Sequence, residues 1–463
     1  MNRRWPLNEA GAMKKPNIVL INCDDLGYGD LGCYGSAVNR TPAIDRLAEE
    51  GTLFTDFYMA SPVCSPSRGA MLTGCYPPRI GFGAFDGEVV LFPGQGIGLN
   101  PNEVTIAKLL RDNGYRTKII GKWHCGDQPA FLPLAHGFEE YYGLPYSNDM
   151  GRQAGGREFP PLPLVKDNMV IQQQPDQRSL TERYVEQARE YITLHRDEPF
   201  FLYFAHMHVH LPLYAAEPFV RASENGDYGA CVEEIDWAAK AIMHKLDEEG
   251  LSDDTLVIFT SDNGGRGDHG GSNYPLRGAK QSTWEGGMRV PCIMRWPGHI
   301  PAGRKCGNLF ASIDFLPTIM ALCGFEKPET AEIDGLNLSG LVLGVPGSKG
   351  RDTLFYYKQN DLEAVRCGEW KLHVRKNGEE ASLLYNLKTD ISEEFNVYDD
   401  EPEVVSRLKD AMDACRADLG DASSGMAGKL VRPAGRVENP KPLTCYDENH
   451  PYIVSMYDKT DRG

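Results

Sequence analysis

The sequence has no hydrophobic run long enough to cross a membrane, and no apolar core follows Arg3 and Arg4 in the stretch Met1–Ala12. A transmembrane helix needs about 20 mostly apolar residues, and a signal peptide needs an apolar segment after its basic start. We therefore predict no membrane partner. The expected location is cytoplasmic for the sequence as written, and periplasmic or secreted if the start is misassigned.

Positive charge is also scarce, because 48 Lys and Arg stand against 65 Asp and Glu, for a net charge of −17. Such a chain repels the phosphate backbone, so we predict no nucleic-acid partner. An anionic substrate would have to be held by local cations that work against the overall field. The sequence gives no indication of the oligomeric state.

The twelve cysteines lack paired spacing, and no CxxC pair occurs. This pattern excludes a disulfide scaffold and a zinc ribbon, and it argues against a metal-storage or redox protein. A reducing compartment fits this cysteine usage best. Internal repeats and low-complexity segments are also absent from the sequence.

Apolar strand-like segments alternate with amphipathic helical ones over the first three quarters of the chain. This alternation predicts an α/β fold with a large sheet covered by helices on both faces. The predicted strands are Ile18–Ile21, Tyr115–Ile120, Phe200–Ala205 and Leu256–Thr260. The predicted helices are Pro42–Glu50, Asn102–Asn113 with Asn102 as its cap, Leu180–His195 and Tyr228–Glu249.

The pattern changes near residue 350, where short strands follow one another at hairpin spacing. They are Thr353–Lys358, Glu363–Cys367, Lys371–Arg375 and Ser382–Leu387, with a helix predicted at Glu403–Leu419. We predict a catalytic domain over residues 14–350 and a small domain, an antiparallel sheet plus a helix, over 351–420. Residues 421–463 are predicted to form a tail that packs on the surface.

The run Val63-Cys64-Ser65-Pro66-Ser67-Arg68, followed by Leu72-Thr73-Gly74, is the most informative stretch. Pro66 suits the first position of a helix and Gly74 suits its end, so Cys64 should lie at a helix N-terminus. Backbone N–H groups there favour a bound anion, and Arg68, one turn along, could add a fork of donors. The alternative is a buried or disulfide-linked cysteine before an ordinary helix.

Carboxylates and an amide follow two predicted strands. Asp24 and Asp25 come after the first strand, and Asp262 and Asn263 follow Leu256–Thr260. Oxygen ligands from two strand-end loops suit calcium or magnesium and do not suit zinc. The alternative for a lone Asp-Asp pair is a capping carboxylate beside a solvated one.

Basic residues also follow strands. Lys122 and His124 flank Trp123 directly after Tyr115–Ile120, which favours a catalytic role over a surface one. The alternating His206, His208 and His210 would point to one side if the run is extended, and a second metal there stays an alternative.

These motifs resemble those of the type I sulfatases, in particular the arylsulfatase A and N-acetylgalactosamine-6-sulfatase branch. The resemblance rests on Cys-x-Pro-Ser-Arg at Cys64, on Gly-Lys-Trp-His at residues 121–124, and on strand-end acids, and it covers nearly the whole chain. It implies an alkaline-phosphatase-like fold, in which helices sandwich a large mixed sheet. It also implies that a maturation enzyme oxidises Cys64 to formylglycine, the nucleophile.

The resemblance further implies a role for each matching residue. Calcium, with magnesium as an alternative, would be bound by Asp24, Asp25, Asp262, Asn263 and the formylglycine at position 64. Arg68, Lys122 and Lys280 would neutralise the sulfate, and Ser147 would touch it. His124 would contact the formylglycine hydroxyl, and His210, alone or with Lys280, would assist the leaving group. His206 and His208 would line the pocket wall or pack.

The implied activity is hydrolysis of an aryl or carbohydrate sulfate ester, with a sulfated small molecule or glycan as the partner. Attack on sulfur in this stable anion needs charge neutralisation and a donor at the leaving oxygen, which these residue types supply. Two alternatives stay open at this point. One is a formylglycine-dependent phosphonate or phosphodiester hydrolase of the same fold, and the other is a non-catalytic carbohydrate-binding relative with unmodified Cys64.

Overall fold

The computed structural model describes residues 15–155, 158–326, 332–450 and 456–463. The residues Met1–Ala12, for which we predicted no signal peptide, and the predicted domain start at residue 14 lie outside these ranges. Within them, no helix combines the length and the apolar character needed to cross a membrane. Each of the twelve cysteines is free.

Strands occur along the whole described chain. In chain order they are β1 Asn17–Cys23, β2 Thr52–Phe54, β3 Phe57–Tyr58, β4 Ile97–Gly98, β5 Arg116–Lys122, β6 Glu140–Leu144, β7 Pro163–Lys166, β8 Met169–Gln173, β9 Phe200–Ala205, β10 Thr255–Ser261, β11 Cys292–Arg295, β12 Arg304–Cys306, β13 Phe310–Ala311, β14 Thr353–Lys358, β15 Asp361–Cys367, β16 Trp370–Lys376, β17 Glu379–Asn386, β18 Gly420–Asp421, β19 Met426–Ala427 and β20 Gly435–Arg436.

Helices separate these strands. They are α1 Pro42–Glu49, α2 Cys64–Thr73, α3 Ile106–Asp112, α4 Leu180–Leu194, α5 Glu217–Ala222, α6 Gly226–Glu248, α7 Glu285–Met288, α8 Phe315–Leu322, α9 Ser339–Val342 and α10 Pro402–Leu419.

The large sheet has ten strands in the order β12-β2-β11-β10-β1-β9-β5-β6-β7-β8. Its centre, from β10 to β6, is parallel, and the neighbours β11 and β7 run antiparallel to it. Every residue of β1 is buried, as expected for a parallel strand covered on both faces. The predicted mixed sheet between helical layers is therefore confirmed.

Successive residues of β1 enter two separate cores. Ile18 and Leu20 pack on the face that also contacts α2, α3 and α8, whereas Val19 and Ile21 pack on the face covered by α1, α4 and α6. Both layers bury aliphatic and aromatic side chains, so burial of apolar area holds the helices against the sheet. This arrangement leaves the ends of the central strands as the place for polar loops.

Three predicted helix starts differ from the structure by two residues or more, and one of them is α6, which begins at Gly226 and not at Tyr228. The helix predicted from Asn102 begins only at Ile106, because the hydroxyl of Thr105 accepts a hydrogen bond from the amide of Lys108 at 3.1 Å and so caps it. Helix α2 begins at Cys64 and not at Pro66. Pro66 is tolerated as its third residue because the first four N–H groups of a helix have no partner inside it.

The second sheet is antiparallel in the order β14-β15-β16-β17, and α10 packs on it through Val405, Leu408 and Met412. The predicted small sheet with one helix is therefore confirmed.

A buried ion pair joins the second sheet to helix α7. The Nζ atom of Lys371, on β16, lies 2.8 Å from Oε1 of Glu285, on α7. Both side chains are fully buried, and the hydroxyl of Tyr356 also donates to Oε1 of Glu285 at 3.0 Å. Since α7 follows the loop that carries Lys280, this pair ties the second sheet to that loop.

Candidate active site

Four central strands of the large sheet end side by side, and each leads into a polar loop. In the register of the sheet, Cys23 of β1 lies beside Ser261 of β10, and Ala205 of β9 lies beside Asn22 and Gly121. The residues that follow are therefore brought to one edge of the sheet. The carboxyl ends of parallel strands are where α/β proteins bind ligands.

Helix α2 presents Cys64 as its first residue, and Gly74 ends the helix in the left-handed conformation, with φ of 69°. All ten residues of the helix are buried. Burial raises the pKa of the Cys64 thiol to about 11, although Lys122 and Lys280 act in the opposite direction. The unmodified thiol is therefore protonated at neutral pH and is a poor nucleophile.

Arg68 spans the acidic loops. Its Nε donates to Oδ2 of Asp262 at 2.8 Å and its Nη1 donates to the carbonyl of Lys122 at 2.9 Å, while Nη2 lies 3.6 Å from Oδ2 of Asp24. The buried Nη2 has no hydrogen-bond partner among the described residues. Arg68 thus fixes the strand ends and keeps one donor for a ligand.

Lys122, the last residue of β5, connects the acids to the predicted sulfate contact. Its Nζ forms an ion pair with Asp24 and donates to the hydroxyl of Ser147 at 2.9 Å. Burial would lower the pKa of Lys122, but the surrounding acidic groups, with Asp24 the strongest, together outweigh burial and the pKa is raised. Lys122 is therefore a fixed cation inside the site.

His210 lies next to Ser147. Its Nδ1 faces the carbonyl of Leu211 at 2.7 Å and must carry a hydrogen, so Nε2 is the acceptor and lies 3.2 Å from Oγ of Ser147. Burial, together with Lys280 and Lys122, lowers the pKa of His210. The imidazole is therefore neutral in the site without substrate.

The ring of His124 also has one donor nitrogen and one acceptor nitrogen, but the two are exchanged relative to His210. Its Nε2 faces the carbonyl of Leu91 at 2.9 Å, and the buried Nδ1 has no partner among the described residues. Burial, and then Lys122, lowers the pKa of His124 well below its ordinary value. The structure thus contains a neutral imidazole with a free acceptor nitrogen.

Lys280 completes the set of cations. Its Nζ lies 2.9 Å from Oδ2 of Asp25, and its side chain is 5% exposed. The next residue, Gln281, donates its amide hydrogen to the carbonyl of Pro62 at 2.9 Å, just before helix α2. The Lys280 loop is therefore docked against the loop that leads to Cys64.

The acidic residues leave oxygen atoms available for a cation. The buried Oδ1 atoms of Asp24 and Asn263 have no hydrogen-bond partner among the described residues. Asp24, Asp25 and His210 offer ligand atoms that all lie within 4.8 Å of one another. Burial, followed by the charge of Asp24, raises the pKa of Asp262 to about 7, which reflects crowded negative charge. This donor set fits a hard divalent cation.

The three alternating histidines do not lie on a strand, so the condition under which they would share one side is not met. Strand β9 ends at Ala205, and the chain turns afterwards. His208 pairs with Glu234 of α6 at 3.2 Å, and the His206 ring packs 5.1 Å from the His208 ring. Only His210 of the three belongs to the acidic cluster found in the described residues.

Sequence reasoning missed the partners that orient these groups. The carbonyl of Leu91 and the residue Gly463 reach the site from far along the chain, whereas the Glu234 carboxylate holds His208 outside the acidic cluster. Gly463 packs directly on the His210 ring, since a Cβ atom placed there would lie 2.0 Å from Nε2. No local spacing in the sequence signals such contacts.

Comparisons with known proteins find relatives over most of the chain. The family model described as Sulfatase matches residues 16–325, and one described as N-sulphoglucosamine sulphohydrolase, C-terminal, matches residues 279–418. Arylsulfatase A of Bos taurus is 39% identical to this chain. The alignment covers 89% of this chain and 90% of the bovine protein. N-acetylgalactosamine-6-sulfatase of Canis lupus familiaris is 41% identical to this chain. The alignment covers 79% of this chain and 73% of the canine protein.

A solved structure has the same architecture. The crystal structure of Ps i-CgsB in complex with k-i-k-neocarrahexaose matches with a TM-score of 0.78 and 30% sequence identity, over 90% of this chain and 95% of that one.

Proposed function

The chain belongs to the sulfatase family, and from this premise we propose that it hydrolyses carbohydrate or aryl sulfate esters through a formylglycine made from Cys64. The sequence-based predictions of the family, its fold and a sulfatase activity are confirmed by the family match and the relatives. The nucleophile, the metal and the role of each residue are our proposal.

One observation carries the proposal. Lys122 comes from the end of β5 and Lys280 from a distant loop, and each is held by one carboxylate of the Asp24–Asp25 pair beside Cys64. A surface role does not explain two buried ammonium groups that converge on a buried cysteine. They are suited to an anion whose charge persists through the reaction.

The proposed nucleophile follows from the state of Cys64. Because its thiol is protonated at neutral pH, a hydrolase that used the cysteine itself would be poorly activated. A hydrated formylglycine would instead supply a hydroxyl for attack on sulfur and a second hydroxyl for release of sulfate. A maturation enzyme would have to oxidise Cys64, since the thiol does not become an aldehyde unaided.

The chain's own residues would divide the remaining work. Lys122, Lys280 and the free Nη2 of Arg68 would neutralise the sulfate oxygens, and the Ser147 hydroxyl would hold one of them. His124 would accept a proton through its free Nδ1. His210 would protonate the leaving oxygen, because the negative charge of a bound sulfate favours its protonated form.

We propose calcium, or magnesium in its place, as the metal held by Asp24, Asp25, Asp262 and Asn263. The unpaired oxygens of Asp24 and Asn263 and the raised pKa of Asp262 support this assignment. When bound, such a cation would add positive charge beside the sulfate oxygens. The oxygen-rich donor set supports calcium over zinc.

The substrate class is supported by two of the relatives. One is named for N-acetylgalactosamine-6-sulfate chemistry and the other was solved with a neocarrahexaose. We therefore propose a sulfated sugar as the natural substrate, with activated aryl sulfates accepted as well.

The test compares protein made with and without a formylglycine-generating enzyme. Sulfate release is measured from nitrophenyl sulfate and from a sulfated N-acetylgalactosamine, with a nitrophenyl phosphonate ester run in parallel and Cys64→Ala as the control. We expect sulfate release only from the matured wild-type protein. Preferred cleavage of the phosphonate would favour the phosphonate hydrolase, and no turnover of any ester would favour the non-catalytic carbohydrate-binding alternative.

A further inference from the structure

The segment 456–463 runs along the site and contacts a proposed catalytic group. Gly463 packs on the ring of His210, and its amide donates to Oδ2 of Asp149 at 3.2 Å. His210 is 3% exposed with this segment in place. We call residues 456–463 the strap.

The strap joins two loops of the site. The Nη1 atom of Arg462 donates to the carbonyl of Asp149 at 3.0 Å, in the loop that contains Ser147. The carbonyl of Arg462 accepts from Nη1 of Arg266 at 2.9 Å, in the loop that follows Asn263. The strap therefore spans the opening between the sulfate contact and the acidic cluster.

The buried Tyr457 anchors the start of the strap in the core, and polar contacts hold the part that follows it. The Nζ atom of Lys459 contacts the carbonyl of Leu213 and the carboxylate of Asp227, each at 2.5 Å. The side-chain amide of Gln153 donates to the carbonyls of Lys459 and Asp461, each at 3.1 Å. The Lys459 and Asp227 side chains are 30% and 46% exposed, so their ion pair is weak and can open.

The position of the strap conflicts with that of a substrate. If His210 protonates the leaving oxygen, the alcohol part of the ester must lie against its imidazole, where Gly463 lies. We propose that the strap is a gate that competes with the leaving alcohol for the space beside His210, so that its displacement helps to determine which esters bind. This inference rests on the proposed function.

The competition has a defined kinetic signature. A site that is open for only a fraction of the time binds substrate with an affinity reduced by that fraction. Weakening the strap should therefore lower KM. It should leave kcat nearly unchanged, because the strap is already displaced in the enzyme–substrate complex.

The test uses Lys459→Ala in the full, matured chain. This change removes the contacts of Lys459 with Leu213 and Asp227 and leaves every proposed catalytic residue in place. Opening one exposed ion pair and one hydrogen bond should lower KM for a sulfated sugar by roughly three- to tenfold, with kcat within about twofold. The matched control is Arg436→Ala, which removes the exposed Arg436–Asp86 pair elsewhere in the same tail. The control should leave KM unchanged.

A second measurement separates the gate from the enzyme activity. In protein made without the maturation enzyme, the Cys64 thiol is 2% exposed and should react slowly with iodoacetamide. Lys459→Ala should speed its labelling, read by mass spectrometry of the peptide, and Arg436→Ala should not. The gate is overturned if Lys459→Ala has an unchanged or raised KM, or if its Cys64 is labelled at the same rate as in the wild type. Faster labelling in a protein that cleaves no sulfate ester would instead refute only the proposed function.

Discussion

The side-chain amide of Asn263 donates to Oδ1 of Asp25 at 2.7 Å, across two loops that follow parallel strands. This hydrogen bond fixes which way the amide points, because its nitrogen is committed to a carboxylate and to the carbonyl of Gly264 at 3.0 Å. The amide oxygen then has no partner in the described part of the chain. An oriented, unpaired oxygen beside carboxylates suits the divalent cation that we propose for this site.

We expect Asn263→Ala to weaken calcium binding by at least about tenfold, because it removes one ligand and the hydrogen bond that holds Asp25. The measurement is titration calorimetry, supported by the rise in melting temperature that calcium gives to a protein it binds. Asp268→Ala is the control, since that carboxylate is 57% exposed and pairs with Arg266. A wild-type melting temperature independent of calcium would contradict the site.

The modification of Cys64 is directly measurable. Protein made with the maturation enzyme should give a tryptic peptide of residues 47–68 in which an aldehyde replaces the thiol. Cys64→Ala should abolish sulfate release while leaving the melting temperature almost unchanged, because the missing sulfur leaves a small gap at the first turn of α2. Full activity in a protein whose Cys64 is entirely unmodified would rule out the proposed nucleophile.

His210→Ala should affect substrates according to their leaving groups. A sugar hydroxyl is a poor leaving group and needs a proton, whereas nitrophenolate leaves almost without help. We expect kcat for the sugar sulfate to fall by roughly 100-fold or more and kcat for nitrophenyl sulfate to fall much less. Equal losses would transfer the acid role to Lys280 or His124, and the corresponding variants would show which.

His136 should make the fold sensitive to acid. Its ring lies 5.3 Å from that of Trp123, and burial, followed by Lys108, lowers its pKa to about 3. An unfolded histidine has a pKa of about 6.5, so between about pH 6.5 and 3 the unfolded chain binds a proton that the folded chain does not. His136 therefore stabilises the fold fully above that range, and this contribution is lost as pH falls, by up to about 1.4 kcal/mol per pH unit.

The test is the free energy of unfolding in urea at about pH 7 and about pH 5, for the wild type and His136→Gln. The variant should lose less stability on acidification than the wild type does. His244→Gln serves as the control, because the His244 side chain is 64% exposed. Parallel pH dependence in all three proteins would show that His136 does not cause the effect.

Breaking the buried pair between the two sheets should be costly. Lys371→Met would leave the Glu285 carboxylate buried without its nearest cation, and such a change typically costs about 3–5 kcal/mol. Burial alone would raise the pKa of Glu285, but Lys371 and then Arg289 hold it below its ordinary value. The control is Lys388→Met, whose side chain is 77% exposed. Equal urea midpoints for Lys371→Met and Lys388→Met would contradict the predicted loss of stability.

The sequence was informative wherever a short motif follows a strand. Asp24, Lys122 and Asp262 could be placed together in advance, since a parallel sheet brings the carboxyl ends of its strands to one edge. The apolar runs also predicted the strands themselves, because burial on both faces needs continuous hydrophobic sequence.

Orientation could not be read from the sequence. Alternating histidines suggested one shared face, but the strand ends at Ala205, and His208 pairs with Glu234 and is not in the acidic cluster found among the described residues. The carbonyl of Leu91 fixes the free nitrogen of His124 from 33 residues away, and Gly463 reaches His210 from the far end of the described chain. Such contacts depend on tertiary packing, which has no local signature.

The Glu285–Lys371 pair also bears on how this protein can change over evolutionary time. A fragment ending near residue 350 would lack Lys371. Its Glu285 carboxylate would then lose the ammonium group that lies 2.8 Å away in the whole protein. Grafting the small sheet of a distant relative would have the same effect unless a matching cation came with it. The two sheets should therefore be inherited together, and sequence drift at one of these positions should be tolerated only alongside a compensating change at the other.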